Sequence, residues 1–402
     1  MITQSLFLPG KNTFPNIYHL EMGIDPLNLA ERALSHFREG STDQSESVMK
    51  MPIDAYTDPD RYKREVNRIF LELPMAAALS IEIPNAGDYK AMTVADVPIL
   101  LVRGKDKVVR AFLNVCRHRG AKLCPDGSGT SRVFSCPYHA WTYGHLGELV
   151  GRYGSDTFGD IEAKEYGLTG LACQEQAGLI WTILSPKKSF DVDLWLGDFK
   201  TELESLQLDS WVLHEQRELP GPGWKVAMDG YLEAYHHQIV HGRTVGIHTV
   251  GNLLVLDTFG PHQLLTFARK SIGSLADIPR KNWEPMDHIR LIHSCFPNLS
   301  ISGILGGQCL VSQIFPGPTP ETTVTRQSIL AAPSIDEESV KVFSKMTLEA
   351  VRDEDYKIGL DIQSSIHAGA NDHFVFGKNE PAVQNYHKWI SNFMRSETYT
   401  WD

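Results

Sequence analysis

Two pairs of cysteine and histidine constrain this sequence more than any other feature. The first pair is Cys116 and His118 in "CRHRG", and the second is Cys136 and His139 in "CPYHAW". Thiolates and imidazoles at such short spacing are typical of a metal held between two loops. Structural zinc sites usually use C-x2–4-C and H-x3–5-H pairs, whereas each pair here mixes the two ligand types. The spacing therefore favours a metal group other than structural zinc.

Mixed pairs suit a [2Fe–2S] cluster in which one iron takes two thiolates and the other takes two imidazoles. This is the Rieske arrangement, whose neutral histidines raise the reduction potential above that of an all-cysteine cluster. We expect Cys116 and Cys136 to hold the inner iron, and His118 and His139 to hold the outer, more exposed iron. The alternative is two unrelated loop cysteines with nearby histidines, but the "HRG" and "PYHAW" contexts favour the cluster.

Composition excludes several other classes of protein. The chain has 402 residues, 42% of them hydrophobic, which predicts a globular protein of two domains. A net charge of -11 argues against nucleic acid or an anionic membrane surface as the main partner. The N-terminal "MITQSLFLPGKNTF" lacks a basic region followed by an apolar core, so no signal peptide is predicted, and no apolar run approaches a membrane span. Six cysteines are too few for a disulfide scaffold, which predicts a cytoplasmic protein with reduced thiols.

The first half of the chain reads as a small β-rich unit. A capped amphipathic helix is predicted over 58–73, with Asp60 as its N-cap. Residues 97–115 predict a hairpin turning at "GKDK", and 177–186 predict a closing strand. Both Cys/His pairs then fall in loops at the tip of an antiparallel sheet.

The second half predicts a sheet wrapped by one long helix. A helical spacing covers 223–242, and 252–330 is mostly strand-like. A long helical segment from about Ser334 to Ile366 begins with the capping-box pattern "SIDE". The predicted fold class is α+β, with room for an enclosed pocket.

At the Cys/His loops the sequence resembles the Rieske proteins. Respiratory-chain members carry C-P-C-H in the second loop, whose extra cysteine forms a disulfide with the first loop. Here Tyr138 follows Pro137, so that partner is missing and Cys124 is expected to be unpaired. The second loop resembles instead the C-x-Y-H-G-W of Rieske oxygenases, with Ala140 in place of the usual glycine.

An oxygenase needs a second metal site, commonly Fe(II) held by two histidines and one carboxylate. The segment "DGYLEAYHHQIVH" is the candidate, and a continuous helix would put four of its residues on one face: Asp229, Glu233, His236 and Val240. Helical spacing alone favours His237 with His241 as an i, i+4 pair. The family pattern D-x2-H-x4-H favours His236 with His241.

Asp355 is the candidate carboxylate ligand. It interrupts an apolar stripe of helical spacing formed by Leu348, Val351, Ile358 and Ile362. A carboxylate facing a core needs a cation or hydrogen bonds. The alternative to iron is a salt bridge to an arginine such as Arg269 or Arg326.

The resemblance favours iron, since the family's E-D pair followed by glutamine matches Glu354, Asp355 and Gln363. It extends over nearly the whole chain and identifies a catalytic α subunit of a Rieske non-heme iron oxygenase. It implies an N-terminal segment over 1–50 that packs on the catalytic domain, a Rieske domain over 51–187 and a catalytic iron domain of helix-grip fold over 188–402.

The resemblance also implies partners and chemistry. NAD(P)H electrons would arrive through a separate reductase, with or without a ferredoxin, because the chain has no G-x-G-x-x-G site. Members typically form head-to-tail trimers, in which an aspartate bridges a cluster histidine and an iron-ligand histidine across the interface. Glu233 stands in its place, and Asp229 adds a charge near the iron where many members have asparagine.

The substrate and the outcome stay open in the sequence. Phe259, Phe267, Ile301 and Leu310 are expected to line an apolar pocket, which favours a hydrophobic, aromatic substrate, and "FPN" at 296–298 resembles a stretch of the family's pocket sheet. Activation of O₂ would then lead to monohydroxylation, dealkylation (including that of a quaternary ammonium substrate) or cis-dihydroxylation. The alternative function is a Rieske electron carrier or sensor with a degenerate pocket.

Overall fold

The structure is a computed structural model that describes residues 23–305 and 307–395. The N-terminal stretch that carries the signal-peptide prediction lies outside these residues. Among the described residues, no helix has both the length and the apolar character that crossing a membrane requires.

Helices and strands follow one another along the whole described chain. The helices are α1 (Pro26–Glu39), α2 (Asp54–Thr57), α3 (Pro59–Glu65), α4 (Val192–Leu196), α5 (Phe199–Glu204), α6 (Trp224–Tyr231), α7 (His237–Val240), α8 (Glu337–Leu348), α9 (Tyr356–Ser365) and α10 (Pro381–Arg395). The strands are β1 (Met49–Pro52), β2 (Met75–Leu79), β3 (Asp88–Val94), β4 (Val97–Arg103), β5 (Val109–Leu113), β6 (Gly127–Thr130), β7 (Phe134–Ser135), β8 (Thr142–Tyr143), β9 (Leu149–Gly151), β10 (Gly170–Leu171), β11 (Cys173–Gln176), β12 (Leu179–Thr182), β13 (Val212–Gly221), β14 (Thr249–Phe259), β15 (His262–Arg269), β16 (Ile289–Cys295), β17 (Leu299–Leu305), β18 (Gln308–Pro316), β19 (Thr323–Ala331) and β20 (His373–Phe376).

The first half forms three small antiparallel sheets. Their strand orders are β10-β5-β4-β3-β6, β11-β12-β2 and β7-β8-β9. The predicted hairpin is confirmed, since β4 pairs with β5 and the Gly104 N–H donates to the Val108 carbonyl at 2.9 Å. The predicted closing strand is β12. One Cys/His pair follows β5 and the other lies between β7 and β8, as the loop prediction requires.

The second half is built on one seven-stranded antiparallel sheet of order β13-β19-β18-β17-β16-β15-β14. Helix α8 lies against β18 and β19, and α9 lies against β13 and α6. The predicted α+β class with a sheet and a long helical segment is confirmed. Strand β13 was missed because it is an edge strand whose residues are mostly exposed and polar.

The N-terminal helix packs on this sheet. The Asp25 carboxylate accepts the Leu27 N–H at 2.9 Å, and Gly40 ends the helix with φ 63°. Arg32 on α1 pairs with Asp257 of β14 at 2.8 Å. The division of the chain at residues 50 and 187 stays a prediction.

Two predicted helix caps were wrong. Asp58, not Asp60, begins α3, because its carboxylate accepts the N–H groups of Asp60 and Arg61 and Pro59 occupies the first helical position. Asp336 begins α8 by accepting the Ser339 N–H at 2.8 Å, so the helix starts later than the "SIDE" pattern predicts.

The helical prediction over 223–242 holds only in part, because the segment is not one continuous helix. Helix α6 ends at Tyr231, and α7 is a single turn that begins at His237. Between them the Glu233 carboxylate accepts the N–H groups of Tyr235 and, at 3.0 Å, of His236. A side chain that bonds these N–H groups replaces the helical carbonyl acceptors and interrupts the helix.

The apolar stripe predicted around Asp355 is only partly buried. Val351 is buried, but Ile358 and Ile362 are 44% and 40% exposed. Residues Glu349–Asp355 form a π-helical segment, whose wider turn changes the register between α8 and α9. Residues before and after Asp355 therefore do not continue one face.

Candidate metal centres and substrate cavity

The two Cys/His loops have the same backbone hydrogen bond. The Gly120 N–H donates to the Cys116 carbonyl at 2.9 Å, and the Ala140 N–H donates to the Cys136 carbonyl at 3.0 Å. Gly120 and Ala140 both have positive φ, at 79° and 53°. Both cysteines are buried, at 2% and 4% exposure. The sequence thus folds into two matching turns, each of which presents one buried thiol.

The two histidines face each other across these turns. The ring centroids of His118 and His139 lie 4.8 Å apart, and Trp141 stacks on His118 at 4.9 Å. The Tyr143 hydroxyl lies 3.4 Å from the Cys116 sulfur. Aromatic packing therefore fixes the orientation of one imidazole, and a hydroxyl reaches one thiol.

His139 fits the role of a ligand to a Rieske cluster. Its Nε2 accepts a hydrogen bond from Arg119 at 2.7 Å, while its Nδ1 is buried and has no hydrogen-bond partner among the described residues. Burial and the neighbouring charge of Arg119 lower the pKa of His139, so the imidazole is neutral, as a metal ligand must be. A buried lone pair without a donor is what a bound metal would satisfy.

Cys124 forms no disulfide, as predicted, and the other five cysteines are also free thiols. Burial raises the pKa of the Cys124 thiol, so it is protonated near neutral pH. It therefore lacks the thiolate character that a further metal ligand needs.

The backbone of Ala140 is strained, because a Cβ atom disfavours its positive φ. A140G is expected to raise the free energy of unfolding by about 0.5–1 kcal/mol, as relief of strain exceeds the added entropy of glycine in the unfolded chain. Urea denaturation checks this, with A121G in the other loop as the control, because Ala121 does not have a positive φ. An equal loss of stability in both variants would contradict it.

The second candidate centre joins His236, His241 and Asp355. One ligand atom from each of the three lies within 4.8 Å of the others. The Asp355 Oδ1 atom is 2.9 Å from His241 Nε2 and 3.5 Å from His236 Nε2. His236 immediately precedes α7, His241 follows it, and Asp355 ends the π-helical segment. The broken helix and the π turn together place the three side chains.

Each imidazole of this centre has a carboxylate on its other nitrogen. His236 Nδ1 bonds Glu233, and His241 Nδ1 lies 2.7 Å from the Glu354 carboxylate, which also accepts from Thr244 at 2.5 Å. Such partners fix the tautomer that leaves Nε2 free for a metal. Sequence reasoning used Glu354 only as part of a motif and missed this contact.

The electrostatics of the centre suit a cation. The Nε2 atoms of His236 and His241 lie 3.2 Å apart. Burial disfavours a charged His236, but hydrogen bonds to Asp355 and Glu233 outweigh it and raise its pKa to about 10. Burial alone would raise the pKa of Asp355, but His236 and His241 outweigh this effect and lower it. Three carboxylates thus favour positive charge at this point, which a divalent iron would supply.

His237 has a different environment from His236. Its ring packs 5.0 Å from that of Phe267. Burial and the nearby His236 and His241 lower the pKa of His237 to about 3. The geometry therefore groups His236, not His237, with His241.

The arginine alternative for Asp355 was wrong. Arg269 donates to the Asp287 carbonyl at 3.0 Å, and Arg326 pairs with Glu218 at 2.6 Å. The partners of Asp355 are the two histidines.

Asp229 is engaged by side chains of two helices, α2 and α10. The Tyr56 hydroxyl donates to one of its oxygens at 2.6 Å, and His387 Nε2 lies 2.8 Å from the other. Asp229 also lines an open cleft of about 340 Å³ together with Glu233, His236 and Asp355. Its carboxylate therefore helps to support α6 beside the centre.

A cavity of about 190 Å³ adjoins the three ligands on the side of the sheet. Phe267 and Leu310 line it, as predicted. The prediction was wrong for Phe259 and Ile301. Phe259 packs 5.2 Å from the ring of Phe199, and Ile301 is fully buried in the core.

The "FPN" stretch lies between β16 and β17 rather than at the cavity. The Phe296–Pro297 peptide bond is cis, and the Asn298 amide donates to the Ala76 carbonyl at 3.1 Å. The Tyr386 hydroxyl donates to the Pro297 carbonyl at 2.6 Å. These residues therefore connect the large sheet to β2 and α10.

Comparison with known families gives an independent result for each half of the chain. Residues 74–157 match the family described as Rieske [2Fe-2S] domain. Residues 208–396 match the family described as ring hydroxylating alpha subunit (catalytic domain). The chain therefore combines a Rieske [2Fe-2S] domain with the catalytic domain of a ring-hydroxylating α subunit. The two domains imply a Rieske [2Fe–2S] cluster and a mononuclear iron.

Among curated relatives, the chain is 31% identical to the glycine betaine monooxygenase oxygenase subunit of Chromohalobacter salexigens. The alignment covers 54% of this chain and 48% of that protein. It is 31% identical to a benzene 1,2-dioxygenase subunit alpha of Pseudomonas putida over 38% of this chain and 34% of that protein. The chain thus spans about half the length of the curated relatives it matches, or less.

Solved structures agree in fold. A quaternary ammonium Rieske monooxygenase superposes with a TM-score of 0.77 at 21% identity, covering 94% of this chain and 100% of that one. Naphthalene 1,2-dioxygenase from Rhodococcus sp. superposes with a TM-score of 0.71 at 19% identity, covering 93% and 99%.

Proposed function

We propose that this Rieske α subunit is the oxygenase component of a multicomponent enzyme that uses O₂ to hydroxylate or dealkylate a small molecule. The observation that carries the proposal is the convergence of His236, His241 and Asp355 beside a cavity. A chain that only transferred electrons would need the Cys/His loops, but neither this set nor the cavity.

In the Rieske domain, Cys116 and Cys136 would hold the inner iron, and His118 and His139 the outer iron. The packing supports this division, because both thiols are buried while both imidazoles are part-exposed. Arg119 fixes His139 through Nε2, which leaves Nδ1 for the metal. A Rieske cluster carries one electron at a time between donor and acceptor.

In the catalytic domain, His236, His241 and Asp355 would hold Fe(II) as two histidines and a carboxylate, a set that leaves positions for O₂. Glu233 and Glu354 hold the two imidazoles in position through Nδ1. Phe267, Leu310 and Phe343 give the cavity an apolar surface beside these ligands. The protein's own contribution is therefore the orientation of the ligands and an apolar surface beside them.

Electrons would come from NAD(P)H through a separate reductase, with or without a ferredoxin. Monooxygenation, dealkylation and dihydroxylation all stay possible outcomes of the same site. The six free cysteines support a reducing compartment, and we propose the cytoplasm.

We further propose head-to-tail assembly as a homotrimer. The cleft that contains Glu233 is surrounded by exposed apolar residues: Tyr235, Ile239, Ile358, Ile362 and Val375. The cluster loops also expose large side chains, Tyr138 at 59% and, further along, Tyr153 at 82%. Apolar surfaces of this kind on both sides suit contact between one subunit's Rieske domain and the next subunit's cleft.

Electron paramagnetic resonance tests the proposed function with nitric oxide as a surrogate for O₂. After reduction with dithionite, the protein should show a Rieske signal, and nitric oxide should add a high-spin ferrous-nitrosyl signal. H118A and H139A should each abolish the first signal. A Rieske signal with no nitrosyl signal in fully iron-loaded protein would support the electron carrier instead.

A further inference from the structure

Gly230 lies where two spaces meet. The cavity beside the sheet and the open cleft beside α9 and β20 share three described lining residues, which are Gly230, His236 and Asp355. Two of these are candidate metal ligands. The candidate iron site can therefore be approached from the cavity on one side and from the cleft on the other, and Gly230 stands beside both approaches.

The last turn of α6 separates the two spaces. Asp229 lines the cleft, whereas Tyr231 lines the cavity. Asp229 accepts a hydrogen bond from the Tyr56 hydroxyl at 2.6 Å, and the Tyr231 hydroxyl donates to Ser312 at 3.3 Å. Both side chains are thus tethered to other elements of the fold and do not fill the space beside Gly230.

The space beside Gly230 is empty. Outside its own helix and chain neighbours, a Cβ atom built on this residue would meet no heavy atom of the described residues within 4 Å. Gly230 has no positive φ, so the backbone does not require glycine. Gly359, which lines the same cleft, differs because its Cβ would lie 2.8 Å from Pro222. Since glycine stabilises a helix less than alanine does, an opening accounts for Gly230 where conformation and packing do not.

We propose that the opening at Gly230 is a route by which dioxygen reaches the candidate iron site from the cleft while a substrate occupies the cavity. The proposal rests on the proposed function, since that function brings two reactants to one centre. A cavity of about 190 Å³ is only somewhat larger than the cavity of about 150 Å³ that accommodates benzene in another protein. A substrate with one ring therefore fills most of the cavity and obstructs that side for a second molecule.

The opening is wide enough for dioxygen. Room for a carbon atom beside Gly230 is room for this molecule, which is no wider than a methyl group. Interfaces between subunits retain bridging waters, so a neighbour that docks on the cleft leaves paths for a small diatomic molecule. Substrate and dioxygen then approach from opposite sides of His236 and Asp355.

Stopped-flow binding of nitric oxide to the reduced, iron-loaded protein tests the route, because nitric oxide is as small as dioxygen and its binding needs no turnover. A350L fills the cavity from its wall, since Ala350 lines the cavity and not the cleft. In A350L, nitric oxide should still bind at a rate close to that of the original protein. Adding G230L should then slow binding about tenfold or more, because entry depends on motions that open the path. No further slowing by G230L would overturn the proposal.

V375F is the matched control in the same background. It adds as many carbon atoms to the cleft as G230L does, but Val375 does not line the cavity. This variant should leave the rate unchanged, and equal slowing would contradict a route at Gly230. L310F, a second change that fills the cavity, repeats the comparison if A350L does not fold.

Two further readings separate the route from the centre itself. Iron content and the cluster spectrum should be the same in all variants, which distinguishes slower entry from loss of a ligand. A missing nitrosyl signal in the original protein would overturn the oxygenase function. A full signal with equal rates in A350L with and without G230L would overturn only the route.

Discussion

H236A and D355A are each expected to lose the mononuclear iron while the Rieske signal remains. Each variant removes one of the three atoms that converge on the candidate iron site. Loss of an outer-sphere partner alone typically lowers metal affinity about 10- to 100-fold, so loss of a direct ligand should lower it at least about 100-fold. Iron analysis of the purified variants, beside the spectrum of the cluster, measures both sites in one sample.

H237A is the matched control for this experiment. His237 is adjacent to His236, but its ring packs on Phe267 and it is not part of the three-residue group. The variant should keep its mononuclear iron. Loss of iron in H237A with retention in H236A would move the ligand by one residue and contradict the assignment.

E233Q is expected to slow electron transfer from the cluster to the mononuclear iron about 10- to 100-fold. Glu233 bonds His236 Nδ1 and lines the open cleft where we propose that a neighbouring subunit docks. Glutamine keeps the size and an oxygen for the Tyr235 and His236 N–H groups, but removes the charge. Both metals should still bind, the mononuclear iron about tenfold more weakly because the contact to His236 Nδ1 changes, and reduction of the cluster by an outside donor should be normal. Stopped-flow reoxidation of the reduced cluster in the presence of O₂ measures the step.

Two further variants separate a bridge from simple support of an imidazole. E354Q changes the equivalent contact on His241, yet Glu354 does not line the cleft. It should weaken iron binding about tenfold but leave the reoxidation rate of the iron-loaded fraction unchanged. E233D should recover part of the rate. Normal reoxidation in E233Q would show that Glu233 only positions His236.

The cluster loops were predictable from the sequence because their determinants are local. Cys116 and His118 share one short turn, and Cys136 and His139 share another, so spacing alone predicts which side chains meet. The α+β class was predictable for a similar reason, since strand and helix patterns each depend on a few neighbouring residues. Choosing His236 as the candidate ligand needed the family pattern, because helical spacing alone favoured His237.

What the sequence did not reveal depends on contacts between distant residues or on breaks in regular structure. Glu233 interrupts its own helix by accepting two N–H groups, which no periodicity indicates. The π-helical turn that ends at Asp355 changes the register of the apolar stripe, so Ile358 is exposed. Arg269 and Arg290 line the same cavity only because β15 and β16 pair in one register.

Iron and acid-labile sulfide per chain test the central claim most directly. One cluster and one mononuclear site in the same subunit require three irons and two sulfides in the fully loaded protein. We expect this ratio, with the third iron lost selectively in D355A. Two irons and two sulfides after reconstitution with excess Fe(II) would contradict the account, because the chain would then hold a cluster and no oxygen-activating centre.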